Sequence, residues 1–230
     1  MKPISVTFTG LDARTDVRRL RDIQQRYPNA EFGILYSKTR TGAENRYPEK
    51  RVIAKFLGSG VNLALHVCGR LARQSFTDSF FELSGEIGLG DLTRLDRIQL
   101  NGLSSLTDLR REHLEIPPGL EIILQQHPSF PLITERIGKI TGGKPGILMD
   151  ASGGEGIDTP FQVIEVPGCR VGYAGGINPD NVISKLEGLL QDGAQDFWID
   201  METGVRTNDW FDLNKVDEVL KKVETFCTNH

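Results

Sequence analysis

The chain has 230 residues, of which 38% are hydrophobic and 25% charged, and its formal net charge is −4. This length supports one large hydrophobic core, and the acidic balance argues against broad electrostatic binding of nucleic acid. No stretch approaches the roughly 20 apolar residues of a membrane span, and the N-terminal segment lacks the apolar core of a signal peptide. We therefore expect one domain over residues 1–230 of a soluble, cytoplasmic protein without a nucleic-acid or membrane partner.

The chain contains three cysteines, Cys68, Cys169 and Cys227, which are odd in number and widely spaced. Their spacing matches none of the paired patterns that metal sites and redox motifs use. We expect reduced thiols, no metal site and no cofactor.

Eight short β-branched or apolar runs follow one another along the chain, several of them ended by a glycine that permits a turn. They predict strands at residues 4–10, 32–37, 62–69, 97–102, 121–126, 146–150, 171–176 and 196–200. Apolar residues at helical spacing predict helices at residues 15–26, 49–57, 103–114, 132–140, 179–190 and 214–223. An irregular loop with a short helix is expected within residues 70–91.

The alternation of strand and helix predicts a parallel sheet, because parallel neighbours need a crossover that is normally helical. Eight such units in 230 residues fit a (β/α)₈ barrel. The alternative is an open doubly wound sheet, which would place a glycine-rich phosphate loop after an early strand. Gly10 follows the first predicted strand, but the next residues form neither of the known phosphate-loop patterns. The prediction is therefore an α/β fold, a single (β/α)₈ TIM barrel.

Polar side chains two residues apart occur near the ends of several predicted strands, and two more strands end in aspartate. These residues are Thr7 and Thr9, His66 and Cys68, Gln99 and Asn101, Asp150, and Asp200. Residues two apart share a face of a strand, and barrel active sites lie at the C-terminal strand ends. The pattern predicts a polar pocket there. Hydrogen bonding among these side chains inside the barrel is the alternative, and we prefer it for His66.

Two glycine-containing loops follow the seventh and eighth predicted strands. The first contains Gly175 and Gly176, and the second contains Thr203 and Gly204. Glycine lets backbone amides approach an anion closely, and a helix N-terminus favours negative charge. The two loops together predict a phosphate site, although a tight turn would explain either loop alone.

Segments spread over nearly the whole chain resemble the phosphoribosylanthranilate isomerase family. They are VTFTGLDAR, FGILYSKTR, IQLNG, ILMDASGGEG, AGGINPDNV and WIDMETGV. AGGINPDNV is the most specific of them, followed by GGEG after Asp150. The resemblance implies a (β/α)₈ enzyme of tryptophan biosynthesis that converts an anthranilate-linked ribose phosphate from an aldose to a ketose.

That reaction needs a general acid, which opens the sugar ring, and a general base, which removes a proton from the neighbouring carbon. The resemblance implies that Asp150 is the acid, and a cap of the following loop is the alternative for this carboxyl. The family's base is a cysteine at the position of Thr9, whose aliphatic hydroxyl does not titrate in the physiological range. Cys68 is the candidate replacement, although we prefer a structural thiol.

The resemblance also implies residues that bind the substrate. Arg40 matches a loop-two arginine that binds the anthranilate carboxylate, a task suited to a guanidinium. Lys38 and Arg46 are close in sequence and remain alternatives, as does a solvated charged loop. Asn101 replaces a family histidine and keeps its hydrogen-bonding capacity. The loops with Gly175, Gly176, Thr203 and Gly204 match the family's phosphate loops.

The sequence therefore predicts an isomerase whose partner is a small phosphorylated sugar, and it leaves the oligomeric state open. A lyase or hydrolase that uses Asp150 with His127 or Cys68 is one alternative. A non-catalytic protein that binds a phosphorylated sugar is another, because fold does not imply function.

Overall fold

Eight parallel strands form a closed barrel in the computed structural model, which describes residues 2–69, 72, 85, 94–102, 119–127, 145–152 and 155–230. Each strand pairs with the next, and the last pairs with the first. The strands are β1 (Ser5–Thr9), β2 (Ala30–Tyr36), β3 (Leu63–Val67), β4 (Arg97–Leu100), β5 (Glu121–Gln126), β6 (Gly146–Asp150), β7 (Val171–Ala174) and β8 (Trp198–Met201). The predicted barrel is confirmed, and closure excludes the open sheet.

Helices cover the barrel between strands. In the described part of the chain they are α1 (Val17–Arg26), α2 (Lys50–Leu57), α3 (Val182–Gln191) and α4 (Leu213–Asn229). Two of them begin at capping aspartates, because Asp16 accepts a hydrogen bond from the Arg18 amide and Asp212 from the Asn214 amide. The helices predicted at 103–114 and 132–140 lie outside the described residues, as does nearly all of the loop predicted at 70–91.

A short hairpin after β8 was not predicted from the sequence. It pairs β9 (Arg206–Thr207) with β10 (Trp210–Phe211). Its two turn residues, Asn208 and Asp209, have φ angles of 50° and 60°. Two consecutive left-handed residues suit a tight hairpin turn, and Asn and Asp tolerate that conformation best after glycine.

A buried ion pair fixes this hairpin to the loop after β1. Arg206 Nη2 lies 3.1 Å from Asp12 Oδ2, and the two side chains are 2% and 0% exposed. The Phe211 amide donates to the same Asp12 oxygen over 2.6 Å, and Arg206 Nη1 donates to the Gly10 carbonyl over 2.7 Å. A buried charge pair with its hydrogen bonds satisfied holds the two loops in one arrangement.

The barrel interior has its own small apolar cluster, separate from the larger core between strands and helices. The cluster consists of Ile123, Leu148, Ala174 and Trp198. The Trp198 ring is fully buried and lies at the beginning of β8. It occupies the space that a side chain would need at Gly172, because a Cβ there would overlap the indole. Trp198 therefore closes the N-terminal end of the barrel.

Among the described helices, none is long and apolar enough to cross a lipid bilayer. Cys68, Cys169 and Cys227 form no disulfide with one another.

Candidate active site

A narrow cavity of about 70 Å³ opens at the C-terminal ends of the barrel strands. Its walls include the carboxyls of two strand ends and the loops after β7 and β8. Among the residues that line the cavity are Asp150, Asp200, Gly175, Gly176, Thr203 and Gly204. The structure thus brings the predicted acid and all four predicted phosphate-binding residues to one cavity.

Asp150 ends β6 and receives hydrogen bonds on both carboxyl oxygens. Its Oδ1 accepts from the Ser152 amide and hydroxyl over 3.0 and 2.7 Å, and its Oδ2 accepts from Gln125 Nε2 over 2.7 Å. The Gly102 amide donates to Gln125 Oε1 over 3.1 Å, which fixes the orientation of the Gln125 amide. Asp150 therefore caps its own loop, as the structural alternative expected, and still lines the cavity.

Asp200 is a second carboxyl at the same height of the barrel. The strand register aligns Asp150 with Ala174 and Ala174 with Asp200, so the two carboxyls are two strands apart. Asp200 is 5% exposed, and burial raises its pKa to about 8. At neutral pH this carboxyl holds its proton, which is the state of a general acid.

Thr9 lies beside Asp200 and donates a hydrogen bond from its hydroxyl to Asp200 Oδ1 over 2.7 Å. Thr9 also lines the cavity. The position at which the family resemblance places the base is thus bonded to a carboxyl from β8. The sequence contained a signal for this contact, because β1 and β8 are neighbours in a closed barrel and both residues are polar strand ends.

Cys68, the candidate replacement base, lies at the end of β3. Burial raises the pKa of its thiol, and Asn101 Nδ2 contacts the sulfur at 3.5 Å. Cys68 and Asn101 both line a second, larger cavity of about 600 Å³ next to the first. Because a raised pKa disfavours the thiolate that a base requires, the environment of Cys68 supports the preferred structural interpretation.

The two arginines of the loop after β2 make different contacts. Arg40 binds Glu44 through two hydrogen bonds of 2.8 and 2.7 Å and donates to Tyr47 Oη over 2.8 Å, all within its own loop. Arg46 crosses to the loop after β8.

There, Arg46 Nη1 lies 2.9 Å from Glu202 Oε1 and 3.1 Å from Thr203 Oγ1. Both arginines line the larger cavity. Arg46 is therefore the arginine that contacts a predicted phosphate loop, and the sequence spacing alone gave no way to choose between the two.

Glycine at two loop positions is required by contacts between loops. Gly176 has a φ of 65°, and a Cβ there would overlap the Asp158 backbone in the loop after β6. A Cβ at Gly204 would overlap the Ile177 carbonyl oxygen. This packing accounts for the choice of glycine independently of phosphate, and it also places both backbones in the cavity wall.

Polar residues of β3 and β4 hydrogen-bond one another inside the barrel. Gln99 Nε2 donates to Asn101 Oδ1 over 2.9 Å and lies 3.1 Å from His66 Nδ1. Burial lowers the pKa of His66 to about 3, so the ring is neutral near pH 7. His66, Gln99 and Asn101 nevertheless all line the smaller cavity.

No family model matches the chain. Solved structures that are similar to it include an N-(5'-phosphoribosyl)anthranilate isomerase from Pyrococcus furiosus, with 15% identity, a TM-score of 0.56 and coverage of 96% of this chain and 99% of that chain. The chain has the TIM-barrel fold. A truncated 3-deoxy-D-arabino-heptulosonate 7-phosphate synthase from Thermotoga maritima has 10% identity, a TM-score of 0.54 and coverage of 98% and 87%.

The native structure of KDPGal has 9% identity, a TM-score of 0.53 and coverage of 100% and 98%. At these identities the similarity establishes the TIM-barrel fold and leaves the activity to be argued from the site.

Proposed function

We propose that this chain isomerises a phosphorylated sugar derivative from the aldose to the ketose form by an Amadori-type rearrangement. The observation that carries the proposal is one cavity lined by Asp150 and Asp200, with Glu202 as a third carboxyl, beside the glycine loops after β7 and β8. The segments that resemble phosphoribosylanthranilate isomerase support the same reaction class.

In this proposal the loops after β7 and β8 bind the phosphate. Gly175 and Gly176 have φ angles of 127° and 65°, so their backbones turn at the cavity wall. Helix α3 begins shortly afterwards, and its N-terminus favours an anion. The Arg46 guanidinium lies 3.1 Å from Thr203 Oγ1 in the second loop, where it also pairs with Glu202 and Asp209. Phosphate held there would orient the sugar toward the carboxyls.

The environments of Asp150 and Asp200 indicate which carboxyl is the general acid and which is the general base. The family resemblance implies that Asp150 is the acid, but Asp200 is the carboxyl whose raised pKa keeps a proton at neutral pH. Asp150 accepts hydrogen bonds on both oxygens. We therefore assign the acid to Asp200 and the base to Asp150.

The reaction then balances without a co-reactant. Asp200 gives its proton to the ring oxygen of the glycosylamine, the bond between C1 and that oxygen breaks, and an iminium forms at C1. Asp150 removes the proton from C2, which produces an enolamine. The ketose forms when C1 gains a proton and the C2 hydroxyl loses one.

An isomerase assay with N-(5'-phosphoribosyl)anthranilate, compared with the uncatalysed rearrangement in buffer alone, tests the proposal. We expect turnover by the wild type and a fall in kcat of about 100- to 10,000-fold in both Asp150→Asn and Asp200→Asn. Asp196→Asn is the matched control, since Asp196 precedes the same strand as Asp200 and its side chain is 78% exposed. A wild-type protein without turnover contradicts this reaction.

A further inference from the structure

His66 has a ring proton in a defined place. It lies on β3, is 1% exposed and lines the smaller cavity. Gln99 Nε2 is 3.1 Å from His66 Nδ1 and donates to Asn101 Oδ1 over 2.9 Å. Because an amide nitrogen only donates, Nδ1 must accept, and the single proton of the neutral ring sits on Nε2.

This Nε2–H group has no hydrogen-bond partner among the residues that the structure describes. Buried donors are almost always paired, because an unpaired one loses its hydration without compensation. The group therefore needs an acceptor, and its own barrel neighbours do not supply one within the described residues.

Gly33 packs directly against this donor and leaves no room there for a side chain. A Cβ at Gly33 would lie 3.0 Å from His66 Nε2 and 2.6 Å from Thr9 Oγ1, so both polar atoms face the same bare stretch of β2. Thr9 in turn donates to Asp200. Glycine at this position thus keeps the inner end of the cavity polar and free of a third side chain.

We propose that His66 Nε2–H binds an uncharged oxygen of the sugar, a hydroxyl or carbonyl, at the inner end of the cavity. Gln99 is the positioning residue that fixes the ring in this tautomer. The inference rests on the proposed function, because the oxygen belongs to the same sugar phosphate whose anionic group binds the glycine loops. A neutral donor at the inner end is suited to a neutral oxygen, whereas Arg46 lies beside the loop that binds the anion.

Nitrogen-15 NMR of the histidine rings tests this assignment with two probes, ribose 5-phosphate and inorganic phosphate. The chain has only four histidines, and the signals missing from His66→Phe identify His66. We expect the Nε2–H tautomer in the free protein at pH 7. Ribose 5-phosphate should shift the Nε2 signal, while inorganic phosphate should shift the Gly175 and Gly204 amides and leave Nε2 unchanged.

Binding measurements on variants give a second readout. His66→Phe should weaken ribose 5-phosphate binding about tenfold, the loss of one hydrogen bond, and leave the Kd for inorganic phosphate unchanged. Gln99→Leu should produce a mixture of His66 tautomers and weaken the binding of ribose 5-phosphate. His230→Phe is the matched control, because it makes the same exchange at the exposed C-terminal residue.

The possible outcomes distinguish a failure of the role of His66 from a failure of the proposed function. If ribose 5-phosphate shifts the loop amides and leaves Nε2 unchanged, the role of His66 is wrong and the phosphate site stands. If the His66 ring proton lies on Nδ1 in the free protein, the proposed role of His66 is also wrong. If neither probe binds, both the phosphate site and this inference fail. Should His66→Phe not fold, single variants of His113, His127 and His230 identify the His66 signal in the wild-type spectra by elimination.

Discussion

The Thr9 hydroxyl donates a hydrogen bond to Asp200 Oδ1 over 2.7 Å, across the contact between the first and last strands of the barrel. Burial raises the Asp200 pKa, and this hydrogen bond opposes the effect because it stabilises the charged carboxylate. A residue that cannot itself act as a base therefore lowers the pKa of a neighbouring carboxyl.

Removal of that hydroxyl should change the titration of Asp200. Thr9→Val takes away a donor to the carboxylate, so we expect the Asp200 pKa to rise above its value of about 8. Carbon-13 NMR of the aspartate carboxyls measures the change. Thr7→Val is the matched control, because Thr7 lies two residues earlier on β1 and donates to Glu31. An unchanged or lower Asp200 pKa in Thr9→Val would refute the role of this bond.

The folding stability should also depend on pH through Asp200. Its pKa is about 8 in the folded protein and about 3.9 in an unfolded chain, so the folded state binds the extra proton between these values. Stability from this group is complete below about pH 4 and is lost as the pH rises through about 8.

Urea unfolding from pH 5 to 9 measures this slope. Asp200→Asn should flatten it, because an amide does not titrate, whereas Asp196→Asn should retain the wild-type slope. Equal slopes in the wild type and Asp200→Asn would mean that Asp200 does not hold a proton in the folded state.

The two arginines after β2 should differ in their effect on anion binding. Arg46→Ala removes the guanidinium beside Thr203, so we expect the Kd for inorganic phosphate to increase about tenfold, as for one charge-assisted hydrogen bond. Arg40→Ala removes a guanidinium whose contacts are to Glu44 and Tyr47 of its own loop and should have a much smaller effect. Calorimetry of both variants decides the matter, and a larger effect at Arg40 than at Arg46 would refute the role of Arg46 in anion binding.

Breaking the buried ion pair between Asp12 and Arg206 should strongly destabilise the protein. Asp12→Asn leaves the buried guanidinium without its counter-ion, and such losses cost about 3–5 kcal/mol. Thermal unfolding should show the change. Asp209→Asn offers a control on the same arginine, since the Asp209 side chain is 49% exposed and surface pairs contribute at most about 1 kcal/mol. Similar losses in both variants would contradict a special role for Asp12.

The sequence was sufficient to predict the barrel because each strand has a local signal. Branched or apolar runs, several of them followed by a glycine, mark the strands from β1 to β8, and closure follows from having eight units. The hairpin after β8 was missed because its strands have two residues each, and its turn uses Asn208 and Asp209 in place of glycine.

The candidate site was predicted in part, and the remainder depends on contacts between distant residues. Asp150 and the glycine loops could be predicted because their positions at strand ends place them at one end of any such barrel. The choice between Arg40 and Arg46 depends on how one loop folds across the barrel end. The environment of Asp200 likewise depends on Thr9, which is 191 residues away in sequence, so no local pattern indicates its protonation.

The Trp198 ring gives the barrel a closed base. Any molecule that binds in the cavity must therefore enter and leave through the same opening. Adaptation to a bulkier ligand would have to act on the outer loops, since the interior below the cavity is filled by Leu148, Ile123 and Trp198.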